Sequence, residues 1–150
     1  MTTLQNEPAD LKVTPNLSVF EPPGNTPSNL VIRRSVTPTF LVAMEFEFVS
    51  QLMISMTGSF RYEIQYFADI FGPGADVSLG TVRKTTVLGQ PKYSATLPVN
   101  QETGLTVSAS MLADGVYRLS AVVTFLTLAT PPTLVAMTAF AEGPAIQVMP

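Results

Sequence analysis

Apolar and polar residues alternate with a period of two along much of this chain, the mark of half-buried β-strands. In "FLVAMEFEF", Phe40, Val42, Met44, Phe46 and Phe48 share one face, and Glu45 and Glu47 take the other. "FRYEIQYFA" repeats the pattern, with Phe60, Tyr62, Ile64 and Tyr66 inward and Arg61, Glu63 and Gln65 outward. Arg61 is thereby placed to meet a glutamate across a ladder, a pair worth roughly 0.2–1 kcal/mol. In "VYRLSAVVTF", Tyr117, Leu119, Ala121, Val123 and Phe125 oppose Arg118, Ser120, Val122 and Thr124. Shorter alternating runs fall in "LKVTPNLSVF", "TVRKTTVLG", "KYSATLPV", "LTVSASM" and "TLVAMTAF". "AEGPAIQV" adds a last extended segment, with a bulge expected at Gly143-Pro144. Pro15 cannot donate a ladder hydrogen bond, which puts the first run at a sheet edge.

Gly-, Pro- and Asn-rich stretches punctuate these runs. "EPPGNTPSN" reads as a loop, "DIFGPGADVSLG" as a long turn, "NQETG" as a turn and Ala-Thr-Pro-Pro as a hairpin connection. "QLMISMTGS" reads as a connection, and no stretch carries a helical period of useful length. Residues 1–30 form an extended Pro-rich arm that includes the edge strand, and residues 31–150 form the folded domain. About seven to nine short strands between turn signals predict an all-β, antiparallel, two-sheet Greek-key sandwich.

The stretch "LADGVY" sharpens this expectation. Tyr117 stands two residues after Gly115 at the mouth of a strand, and Leu112 is placed to cover its ring. Such a tyrosine hydrogen-bonds back to backbone a few residues upstream. This Leu112-Gly115-Tyr117 corner resembles that of immunoglobulin-like and fibronectin type III-like domains, with the strand layout from about residue 11 to 148 in keeping. The chain lacks the cysteine pair and tryptophan of antibody domains. The resemblance implies an immunoglobulin-like fold and carries no function with it.

Composition narrows the chemistry. Histidine and cysteine are both absent, which removes the usual general base, the thiolate nucleophile and the commonest metal ligands. Glu45 and Glu47 lie on one strand face, whereas a glycosidase needs carboxylates on either side of a bond. "GPGADVSLG" lacks the Lys-Ser/Thr of a phosphate loop, and Asp76 there reads as a local hydrogen-bond acceptor. Asp69 and Asp76 could flank calcium, yet no dense acidic run supplies its six to eight oxygens. The expectation is a non-enzymatic protein with no catalytic residue, no cofactor and no metal. The net charge of −3 argues against nucleic acid, whose binders displace phosphate counterions with positive surface. No apolar stretch is long enough for a membrane-spanning helix and no signal peptide is visible, so a cytoplasmic location without membrane insertion is expected.

Charged residues make up 13% of the chain, against about 25% in ordinary soluble domains. The polar side of the strand after the corner carries Val122, Leu126 and Leu128, and the next run holds Leu134, Ala136 and Phe140. A sheet apolar on both faces is covered on both. These six residues are the predicted interface of a structural or assembly subunit that binds itself, as a homo-oligomer or filament, or binds another protein. The alternative is a monomeric ligand-binding or adaptor module, with Phe67, Phe71 and Tyr93 near loops at one end of the sandwich.

Overall fold

A computed structural model describes residues 11–13, 17–20, 31–95 and 102–150. The side chains of Leu134, Val135 and Ala136 are outside that description. So are the proposed arm's first ten residues, Pro15, the loop at 21–29, and residues 96–101 of "KYSATLPV" and "NQETG".

The described residues form eleven strands in three sheets. β1 (Leu11–Val13), β5 (Phe46–Phe48) and β8 (Lys92–Tyr93) make one three-stranded sheet. β2 (Ser18–Phe20), β4 (Thr39–Ala43) and β9 (Leu105–Ser108) make a second. The third has five strands and curls into a half-barrel, in the order β3-β11-β10-β6-β7. Its members are β3 (Val31–Arg33), β6 (Phe60–Ile70), β7 (Val77–Thr85), β10 (Gly115–Thr127) and β11 (Leu134–Met149). A five-residue helix, α1 (Gln51–Ser55), follows β5.

This is mainly β, as the alternation predicts, but it is not a plain two-sheet antiparallel sandwich. The run from Phe40 to Phe48 breaks at Met44-Glu45, and so divides what would be one sheet into two. The backbone polar groups freed at the break are satisfied by side chains. Met44 N–H donates to the Tyr66 hydroxyl (2.9 Å), and Thr103 Oγ1 donates to Met44 C=O (2.6 Å). Tyr66 in turn donates to Thr103 C=O (2.5 Å). All three residues are at most 1% exposed, so these bonds replace ladder bonds that water could not replace. A second departure is β3, which pairs parallel with β11.

The core lies between the inner faces. Phe46 stacks on Tyr93 and meets Phe48, Tyr62 and Phe125 edge-on, with centroids 5.1–6.0 Å apart, within the favourable range for aromatic pairs. Leu11, Val13, Leu17 and Val19 are buried in the same core. β1 and β2 lie at the edges of their sheets. The β10–β11 register slips opposite Leu119, at Gly143-Pro144. A Cβ at Gly143 would stand 2.9 Å from Leu17 Cβ and 3.1 Å from Leu119 Cβ. Close approach of the N-terminal segment therefore requires glycine there.

Candidate functional site

At one end of the molecule two turns carry large apolar side chains into solvent. The first follows β5. Ser50 caps α1, its hydroxyl accepting from Met53 N–H (3.1 Å). Met53 is buried and Ile54 packs against the core. Val49 before the helix cap, Leu52 in the helix and Met56 at its end are 51%, 70% and 42% exposed. The second turn follows β7 and carries Val87 and Leu88, the latter 72% exposed.

Hydrogen bonds tie these turns together, those of the Thr86 hydroxyl fully buried. Thr57 Oγ1 donates to Ile54 C=O (2.7 Å) and accepts from Gly89 N–H (2.8 Å). Thr86 N–H donates to Phe60 C=O (2.9 Å), and the Thr86 hydroxyl reaches Thr57 C=O and Phe60 C=O. The Tyr93 hydroxyl clasps Val87, accepting from its N–H (2.9 Å) and donating to its C=O (3.3 Å). Gly89, at φ 81°, supplies the left-handed residue that closes the turn. Leu88 lies over Gly58, where a Cβ would come within 3.3 Å of Leu88 Cβ. The exposed apolar residues thus sit on backbone fixed from beneath.

The residues singled out by sequence lie elsewhere. Val122, Leu126 and Phe140 are half-buried on the outer face of the five-stranded sheet, and Leu128 is exposed beyond the end of β10. Leu134 faces Leu126 in register and Ala136 lies in the same strand, their side chains outside the description. This outer face alternates row by row. Val122 sits between Gln65 and Phe140, and Leu126 between Arg61 and Leu134. Between those rows runs Glu63-Thr124-Thr138. Ion pairs Arg118–Glu142 (3.1 Å) and Arg83–Glu63 (3.0 Å) border the apolar rows. Arg61 faces Leu126 and Thr85 across its two ladders, so it does not meet the cross-strand glutamate expected of it; Glu63 of the same strand pairs with Arg83.

At the corner, the Tyr117 hydroxyl donates to Ala113 C=O at 2.9 Å. Leu112 is 1% exposed. A Cβ on Gly115 would touch the Tyr117 ring at 3.7 Å, an ordinary contact. Arg34 braces the corner, donating to Leu112 C=O (3.1 Å) and pairing with Asp114. Nothing in the spacing of residues 34 and 114 signals that bond.

The three aromatics of the adaptor alternative are not brought together. Tyr93 is fully buried, Phe67 is half-buried on the sheet, and Phe71 is exposed beneath the Arg118 guanidinium, 5.7 Å from its ring centroid. Asp76 accepts from Ile70 N–H (3.3 Å), and Asp69 lies 3.4 Å from the Ser120 hydroxyl. Among the described residues no group of three or more His, Cys, Asp or Glu is placed to hold a metal ion. None of their helices is long and apolar enough to cross a membrane. Burial pushes the hydroxyls of Tyr62, Tyr66 and Tyr93 above the ordinary tyrosine range. Each donates to a backbone carbonyl, Tyr62 to Glu102 C=O at 3.0 Å, so they act as struts. The sequence matches no protein-family model and no curated protein.

Proposed function

We propose that this protein is a non-enzymatic structural or assembly subunit that works by protein–protein contact, and that its partner is a second copy of the same chain. The observation that carries this is the fixed apolar end formed by Val49, Leu52, Met56, Val87 and Leu88. Each such side chain gains on the order of 1.5–3 kcal/mol on full burial, and their backbone is already held, so little ordering cost opposes docking. The low charged fraction of 13% supports the same conclusion. The outer sheet face with Val122, Leu126 and Phe140 is a second contact surface within this proposal. Its bordering ion pairs make it less apolar than the end. A fold-level resemblance to immunoglobulin-like domains belongs with the proposal too. The Tyr117–Ala113 bond supports it, while the three-sheet layout and the parallel β3–β11 pair depart from that pattern.

Charge substitution distinguishes the surfaces. Leu52→Lys with Leu88→Lys should dissociate the oligomer and leave the far-ultraviolet β spectrum intact. Dissociation by Leu126→Lys alone would move the contact to the sheet face. A wild-type chain that is monomeric throughout would remove the proposal.

A further inference from the structure

The large apolar side chains that stand exposed are not scattered over the molecule. Among the described residues there are eleven, and they fall at the two ends of the β6–β10 ladder. One group is the apolar end built on α1 and the turn after β7, joined by Leu128 just beyond the Thr127–Phe60 pair. The other five, Val31, Val36, Phe71, Met111 and Val116, lie at the far end. Phe71 follows β6, and its N–H donates to Val116 C=O (2.9 Å). Val116 stands opposite Gln147, and Gln147 opposite Val31. Val36 sits in the turn after β3, where Arg34 N–H donates to Met149 C=O and Val36 N–H to Arg33 C=O, each at 3.0 Å. Met111 precedes Leu112, whose carbonyl accepts from the Arg34 guanidinium. This second group therefore also rests on hydrogen-bonded backbone. Between the two groups run the eleven residues of β6, roughly 35 Å at about 3.3 Å per residue. Val122, Leu126 and Phe140, on the sheet between them, are only half-exposed.

Apolar surface left in water favours contacts that cover it. A two-fold contact through one end covers that end and leaves the other wet in every copy. A head-to-tail contact covers both with one kind of interface, and it builds a ring or an open filament. We propose that the far end, with Phe71, Val116, Val31, Val36 and Met111, receives the apolar end of a second copy. This polarity rests on the assembly proposal and gives it a direction.

Light scattering behind size exclusion tests it with two variants. Leu52→Lys with Leu88→Lys blocks the apolar end. Val36→Lys with Phe71→Lys blocks the far end, at side chains 74% and 53% exposed, and Val36→Lys alone serves where that pair fails to fold. Wild-type chain should run above the monomer mass, and each variant alone at 16.1 kDa. An equimolar mixture of the two variants should give twice 16.1 kDa and nothing larger, because each chain keeps one intact face. A far-end variant that assembles as the wild type does, either variant dimerising by itself, or a mixture that stays at 16.1 kDa would overturn the head-to-tail contact and leave self-association standing. A monomeric wild type would overturn both.

Discussion

Thr103→Val tests how the break between β4 and β5 is held. Valine matches threonine in shape, so the substitution removes one hydroxyl and opens no cavity. What is lost is the 2.6 Å bond to Met44 C=O, between residues 0% and 1% exposed. The orphaned carbonyl should cost about 1–3 kcal/mol. Tyr66→Phe removes more, because its hydroxyl both accepts from Met44 N–H and donates to Thr103 C=O. It should therefore destabilise more than Thr103→Val. The double variant should lose less than the sum, since both bonds serve one strand break. Urea unfolding followed by circular dichroism reads this directly. At roughly 1–3 kcal/mol per molar urea, the Thr103→Val midpoint should fall by several tenths of a molar or more. An unchanged midpoint, or strict additivity in the double variant, would refute the claim that these side chains hold the break together.

Gly143→Ala should destabilise by about 1–3 kcal/mol through overpacking against the Cβ atoms of Leu17 and Leu119, read as a lowered midpoint in a denaturation series. Tyr117→Phe should lower the unfolding midpoint by the equivalent of about 1–3 kcal/mol, leaving Ala113 C=O without its partner, with the β spectrum retained. Alkaline pH should unfold the protein. Tyr62, Tyr66 and Tyr93 hold their protons more tightly folded than unfolded. The stability they confer is therefore complete below the unfolded value near 10. It is lost as pH rises from there toward the folded values. Ultraviolet titration of tyrosinate against the unfolding transition checks this, with the two expected to coincide.

Period two made the inward faces legible. Phe40, Val42, Met44, Phe46 and Phe48 are all buried, as are Tyr117 through Phe125 at alternate positions. The break at Met44-Glu45 was not legible, because its replacement bonds come from Tyr66 and Thr103, distant in sequence and unremarkable in local pattern. β7 begins at Val77, inside what the glycines mark as a long turn. Gly80, at φ 140°, sits where the register with β6 shifts, so it marks a bulge within a strand and not the strand's start. α1 is too short for a helical period to stand out, yet it holds Leu52 and ends at Met56. The apolar end was missed for a related reason. Its residues sit in two connections whose proximity is set by Thr57, Thr86 and Tyr93 and not by sequence distance.

The mass of the wild-type chain in solution, measured by light scattering behind size exclusion at micromolar concentration and above, bears most directly on the assembly proposal. A discrete multiple of 16.1 kDa or a growing filament is expected, reduced to the monomer by Leu52→Lys with Leu88→Lys. A constant 16.1 kDa up to the solubility limit would contradict it.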